Sequence, residues 1–266
     1  MTTSFNKKIQ AKAPLLGGFV SLNTTYAAQI MARSGFDWLL IDMEHSPLSA
    51  HQANDMVHAT ITASQGSCVP VIRVPSHGVE WIKWALDSGV SAIIVPMINN
   101  KDEMDQVIKY ACYPPLGQRS SGPFRTPFAD LDEKTTSFDK YRSEMIKEVA
   151  VHAMIESVDG VENAEAIMST KGVNGVFVGP VDLRSSMGFS GSDGDEEEYI
   201  NALKKILAIA KKLNIPVGIL GSQDKLPRQV EMGFDYFLLA GDAALLVQGA
   251  ELVLGKAKKS ILEAKS

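Results

Sequence analysis

Apolar residues in this 266-residue chain gather into short unbroken runs, separated by stretches in which apolar positions return every three or four residues. The runs at 16–20, 37–42, 69–74, 91–96, 151–156, 174–179, 216–220 and 235–240 read as strands. Their near-continuous Val, Ile and Leu content suits parallel strands covered on both faces, because half-exposed hairpins alternate. The stretches between them predict amphipathic helices over 24–34, 47–64, 78–88, 102–111, 159–169, 196–213, 224–232 and 242–264.

A repeat punctuates this alternation. Gly35-Phe36-Asp37-Trp38, Gly89-Val90-Ser91-Ala92, Gly172-Val173-Asn174-Gly175 and Gly233-Phe234-Asp235-Tyr236 each set a glycine, an apolar residue and a small polar one ahead of a strand. Glycine tolerates the left-handed backbone that closes a helix, so each copy marks helix end, tight turn and strand start. Eight strand–helix pairs in this length give an α/β chain with the size of a single (β/α)8 TIM barrel spanning 1–266. The long connection between the fourth and fifth strands is the exception. It carries Tyr113-Pro114-Pro115-Leu116-Gly117 and Gly122-Pro123, which break helix, and then a predicted helix from near Phe138 to Val149. Ordered connections of this length often cover a site.

Composition narrows the partners. A net charge of -5 and no stripe of Lys and Arg along a helix leave nucleic-acid binding without its electrostatic footprint. The first fourteen residues are polar and lysine-bearing, and no apolar run approaches bilayer length, so a cytoplasmic protein that does not engage a membrane is expected. The two cysteines, Cys68 and Cys112, have neither metal-binding nor redox spacing. No Gly-x-Gly-x-x-Gly or Walker sequence supports nucleotide binding.

In a barrel every strand ends on the same rim, so polar residues at separated strand ends become neighbours. Reading those ends gives Asp42, Glu44 and His45 after the second strand, Arg73 at the third, Glu156 at the fifth and Asp182 just after the sixth. Glu156 and Asp182, two carboxylates with no lysine between them, suit a hard divalent cation with oxygen ligands, Mg²⁺ or Mn²⁺. His45 is a candidate general base, with Asp42 as an acid that could assist it, and Arg73 is a fixed cation for a substrate oxyanion. No strand candidate contains a lysine, which disfavours Schiff-base chemistry. Two rival readings keep the barrel. One binds a phosphorylated substrate on backbone amides near Gly221-Ser222 and Gly241; the other is a non-catalytic barrel that binds a keto-acid.

Gly35 through His45, Ile72-Arg73-Val74-Pro75, Val95-Pro96-Met97, Tyr113-Pro114-Pro115, Met154-Ile155-Glu156 and Gly179-Pro180-Val181-Asp182-Leu183 together resemble the HpcH/HpaI aldolase family, metal-dependent pyruvate aldolases. The likeness runs from about Leu16 to Leu246. It implies a barrel of the phosphoenolpyruvate/pyruvate type that cleaves a 2-oxo-4-hydroxy acid to pyruvate and an aldehyde. It further implies a divalent metal (Mg²⁺, Mn²⁺ or Co²⁺) on Glu156 and Asp182, proton transfer by His45 and enolate stabilisation by Arg73. Asp87 stands where the family places an acid that increases the histidine's basicity, and Val181 where it places a substrate-contacting backbone. The family's assembly is commonly a trimer of dimers, with the last helix, about 242–264, packed on a neighbour. Two departures touch specificity. Met154 stands where some members use a glutamine to hold substrate, and Arg125, in the loop Arg119 to Arg125, is suggested as the grip on the far end of the substrate.

Overall fold

The computed structural model describes residues 4–11, 14–122, 149–191 and 193–265. Eight parallel strands close into a barrel in chain order: β1 (Leu15–Val20), β2 (Trp38–Asp42), β3 (Val69–Arg73), β4 (Ala92–Val95), β5 (Ala150–Ile155), β6 (Gly175–Val178), β7 (Val217–Leu220) and β8 (Tyr236–Gly241). Each lies within two residues of its predicted span. The described helices are α1 (Phe5–Gln10), α2 (Thr25–Arg33), α3 (Ala50–Ser64), α4 (Val79–Asp87), α5 (Lys101–Ala111), α6 (Val158–Glu162), α7 (Ala164–Met168), α8 (Pro180–Ser186), α9 (Glu197–Leu213), α10 (Leu226–Met232) and α11 (Asp242–Glu263). The repeated glycines 35, 89, 172 and 233 all have φ between 92° and 108°, the left-handed region the repeat requires.

Three elements depart from expectation. The single helix predicted over 159–169 is two short ones, α6 and α7, meeting at Asn163, the C-cap of the first. Pro180 opens α8, a short helix absent from the predicted set, whose first turn carries Asp182 just after β6 as expected. The polar N-terminus folds as α1, capped by Ser4, and inserts Phe5 into the closed end of the barrel, where its ring lies 5.3 Å from Trp38 and 5.4 Å from both His152 and Tyr236. The helix expected near Phe138 falls outside the described residues, as do Pro123 and Arg125.

Strand side chains alternate between the helix layer and the barrel interior, and this parity places the site. Leu39 and Ile41 of β2, Ile72 of β3 and Val151 and Ala153 of β5 pack outward against the helices. Trp38 and Leu40, Val69 and Val71, and Ala150 and Met154 fill the interior. Continuing that second series by one pleat brings Asp42, Arg73 and Glu156 to the interior side of the rim where the strands end. His152 shares the parity of Glu156 from lower down: it is fully buried, and its Nδ1 lies 2.7 Å from the Tyr236 hydroxyl. That hydroxyl donates its one proton to the Val176 carbonyl at 2.7 Å, so Nδ1 carries the imidazole hydrogen. Burial pushes the His152 pKa down to about 3, and the ring is neutral. No helix among the described residues is long and apolar enough to cross a membrane.

Candidate active site

At the rim, Asp42 and Arg73 are direct neighbours in the β2–β3 register. Arg73 Nε donates to Asp42 Oδ1 at 2.7 Å, and the carboxylate also accepts the backbone N–H groups of Glu44 (3.1 Å) and His45 (3.2 Å). Asp42 is wholly buried, so this arrangement fixes both the guanidinium and the turn that carries Glu44 and His45. Its contacts with His45 are to the backbone and not to the ring. The expected role in assisting the imidazole therefore gives way to a positioning one.

Glu44 is the acid the sequence placed at the strand end without giving it work. Its Oε2 lies 3.0 Å from Arg73 Nη1 and 3.8 Å from His45 Nε2, bridging the guanidinium and the imidazole. The His45 side chain is 65% exposed, open to a substrate arriving from solvent. Arg73 is buried beneath it, with Nη1 3.9 Å from the Met154 sulfur and its guanidinium carbon 5.6 Å from the centre of the Phe19 ring. Burial opposes the Arg73 charge. The Asp42 hydrogen bond and the charges of Asp42, Glu44 and Glu156 outweigh it and hold the pKa above the ordinary arginine value.

Glu156 follows β5 and is 3% exposed. Its Oε1 accepts the Met97 N–H at 2.7 Å, and Gly179 leaves room for it, since a Cβ there would stand 2.4 Å from Glu156 Oε2. Burial pushes its pKa up to about 7; the Met97 N–H and Arg73 oppose that shift, and the charges of Glu44 and Asp182 reinforce it. Glu44 is raised for the same leading reason, burial, against the pull of Arg73 and His45. Asp182, exposed in the first turn of α8 beside the exposed Val181, acts on both glutamates through its charge. Three carboxylates, Asp42, Glu44 and Glu156, thus act on one guanidinium, and Glu44 Oε2 meets its partners as an ion pair and not through a hydrogen bond. An excess of buried negative charge fits a cation. Glu156 and Asp182, coupled through their charges, are two oxygen-bearing side chains of this rim; among the described residues no group of three or more Asp, Glu, His or Cys side chains forms a metal-binding cluster.

The remaining expected residues separate. Asp87 ends α4, and a helix between parallel strands runs back to the rim where strands begin, opposite His45. Its carboxylate accepts from Arg119 Nη2 at 2.7 Å. Within one chain it is not brought to the imidazole. Met154, which stands where some family members use a glutamine, lies in the interior with its sulfur 3.9 Å from Arg73 Nη1. The Gly221 N–H donates to the Leu238 carbonyl at 2.8 Å, so one amide of the alternative phosphate site is already engaged in the barrel.

The family model for the HpcH/HpaI aldolase/citrate lyase family matches residues 15–239, which takes in all eight strand starts and every rim residue described above. The chain belongs to this family. It is 28% identical over 256 residues to a 4-hydroxy-2-oxo-heptane-1,7-dioate aldolase of Escherichia coli, covering 96% of this chain and 95% of that one. It is 33% identical over 239 residues to a hydroxypyruvate/pyruvate aldolase of Chromohalobacter salexigens, covering 88% and 89%. Among solved structures, a HpcH/HpaI aldolase/citrate lyase family protein from Burkholderia cenocepacia superposes with a TM-score of 0.85 at 28% identity, over 95% of this chain and 99% of that one. As a family member the chain is an enzyme of the aldolase/lyase type. The matched range contains His45, Arg73, Glu156 and Asp182, which the structure places at one rim together with Glu44.

Proposed function

We propose that this enzyme is a divalent-metal-dependent aldolase that cleaves a 2-oxo-4-hydroxy acid to pyruvate and an aldehyde and catalyses the reverse addition. The observation that carries this reading is the charge pattern of one rim: the carboxylates of Asp42, Glu44 and Glu156 about one buried guanidinium, with the exposed Asp182 and the exposed imidazole of His45 beside them. Glu156 and Asp182 would hold the metal, which when bound supplies a Lewis acid for the keto oxygen and offsets their charge. Breaking the C3–C4 bond requires a base for the C4 hydroxyl proton and a place for the electron pair, which moves onto the keto oxygen as an enolate. His45 is the base: its ring is exposed at the rim, with Nε2 3.8 Å from Glu44 Oε2. Arg73 stabilises the enolate oxygen, and because Asp42 fixes its Nε, that stabilisation needs little reorganisation. Return of a proton from the His45 imidazolium to C3, directly or through water, then yields pyruvate and restores the base. None of the eight strands carries a lysine for the covalent route to the same products.

The working protein in this reading is a homo-oligomer. Of the 22 residues of α11 only Asp242 is buried, while Leu246, Val247, Leu252, Val253, Leu254, Ile261 and Leu262 are each more than half exposed. Such a helix is covered by a second copy of the chain.

A coupled assay of pyruvate release tests the reaction over a panel of 2-keto-3-deoxy acids, after EDTA treatment and with Mg²⁺, Mn²⁺ or Co²⁺ restored. Turnover is expected only with metal, and Glu156→Ala should abolish it. Full activity in EDTA, or undiminished turnover by that variant, refutes the assignment.

A further inference from the structure

His77, in the loop between β3 and α4, is tied to the candidate site by a shared peptide group. Its Nε2 lies 2.7 Å from the carbonyl oxygen of Pro96. A carbonyl only accepts, so Nε2 carries the hydrogen and donates it. The nitrogen of that same peptide belongs to Met97, whose N–H donates to Glu156 Oε1, also at 2.7 Å. We infer that His77 is a positioning residue for the Glu156 carboxylate, acting through the Pro96–Met97 peptide group, which it grips from the far side.

Two features make the peptide worth gripping. Met97 has φ 51°, a left-handed backbone uncommon for a residue with a side chain and maintained only where surrounding contacts over-determine it. The contacts beyond Met97 are in place. The Ile98 N–H donates to the Met154 carbonyl at 3.2 Å, Asn99 Oδ1 accepts from the Ser157 hydroxyl, and the Asn99 carbonyl accepts from Asn163 Nδ2 at 2.9 Å. All of these come from the β5 side; His77 supplies the opposing hold from the β3 side. The second feature is cooperativity. A peptide whose carbonyl accepts a good hydrogen bond is polarised, and its N–H donates more strongly, by about 10–30%. Glu156 is buried among other acids, and the Met97 N–H is the neutral donor that fixes where one of its oxygens points.

This inference rests on the reading of Glu156 as a metal-binding carboxylate, so the test has one arm that needs no metal. In ¹⁵N-methionine-labelled, metal-free protein, with the Met97 signal assigned by its loss in Met97→Leu, His77→Phe should move the Met97 amide proton upfield. His77→Gln, whose side-chain N–H can donate to the same carbonyl, should return it most of the way. In the second arm, Mn²⁺ titrations followed by electron paramagnetic resonance should show about tenfold weaker binding for His77→Phe, with substantial recovery in His77→Gln and little change in Tm for either. A wild-type protein that fails to bind Mn²⁺ would refute the metal reading, and the amide arm alone would then decide whether His77 holds the peptide. A Met97 signal and an Mn²⁺ affinity both unmoved in His77→Phe overturn the proposal. Equal losses in both variants, or losses that follow a large drop in Tm, overturn it too, because the ring's packing and not its N–H would then be responsible.

Discussion

Gly179→Ala should displace Glu156 without removing a single donor or acceptor. Gly179 follows β6 as the N-cap of α8 and has φ -91° and ψ 91°, a conformation open to alanine, so the backbone itself does not resist the change. The added Cβ would lie 2.4 Å from Glu156 Oε2, 2.7 Å from Met154 Cε and 2.8 Å from Glu156 Cβ. Ordinary contact between such atoms is about 3.5 Å, so the carboxylate must retreat by about 1 Å. The methionine end can swing away, whereas Glu156 Cβ is fixed to the backbone beside β5, and the residual overlap should destabilise the fold by about 1–3 kcal/mol. A shift of that size in a catalytic or metal-binding group lowers affinity or rate by about 10- to 100-fold. Calorimetric Mn²⁺ titration, pyruvate-release kinetics and thermal melts on one preparation separate the two effects. Gly175→Ala is the matched control. It begins β6, the strand that leads to Gly179, but its Cβ would meet His152 Cε1 at 2.3 Å, in the buried layer below the site. The control should lose stability and keep Mn²⁺ affinity, while Gly179→Ala loses both. If Gly179→Ala is folded and binds Mn²⁺ and turns over as the wild type does, Glu156 is not where the metal or the substrate is held.

Three further outcomes follow from other parts of the fold. The folded pKa of His152, about 3, lies below the unfolded value of about 6.5, so the unfolded chain binds the extra proton between them. Stability from the neutral ring is therefore complete above about pH 6.5 and falls as pH drops toward 3, by roughly 2 kcal/mol at pH 5. Urea unfolding of His152→Gln across pH 7.5 to 5 should show a shallower decline than the wild type, and parallel profiles would exclude His152 as the source. Asp42→Asn keeps the shape but removes the charge that fixes Arg73, and kcat for pyruvate release should fall about 10- to 100-fold with KM changed far less; an effect confined to KM would contradict the positioning role. Finally, light scattering should find wild-type particles larger than the 28.8 kDa chain, and Leu252→Glu combined with Val253→Glu on α11 should shrink them. A monomeric wild type would leave α11 unexplained by self-association.

The barrel could be read from the chain because its strands are buried on both faces and so appear as continuous apolar runs, and because helix ends recur at glycines whose left-handed φ few other residues adopt. The rim charges were legible for the same reason: Asp42, Arg73 and Glu156 interrupt apolar runs where nothing but a strand end accommodates them. Their division of labour was not, because it depends on register. Only the pairing of Asp42 with Arg73 across β2 and β3 turns the aspartate toward the guanidinium and leaves Glu44 to approach His45. Phe5 escaped notice because six residues of a polar helix carry too little periodicity to mark one buried ring. Met97 escaped because a methionine in a left-handed backbone is set by tertiary contacts, which no local pattern reports.

Glu156 and His152 stand four residues apart on the same interior face of β5, and the same force acts on both with different results. Burial disfavours charge at each. His152 has only a neutral hydroxyl and aromatic rings around it, so it gives up its charge and becomes part of a closed floor with Phe5, Trp38 and Tyr236, each of them fully buried. Glu156 shares its level with Arg73 and faces the side where His45 is exposed, so its carboxyl is held near pH 7, between the two states. The sealed floor leaves the rim as the side from which water, a proton, a cation or a keto-acid can reach the interior acids. A barrel built this way confines exchange of charge to the layer that carries His45, Arg73, Glu156 and Asp182, and the apolar residues beneath, Leu40, Val71 and Ile94, serve that layer by keeping its electrostatic field strong.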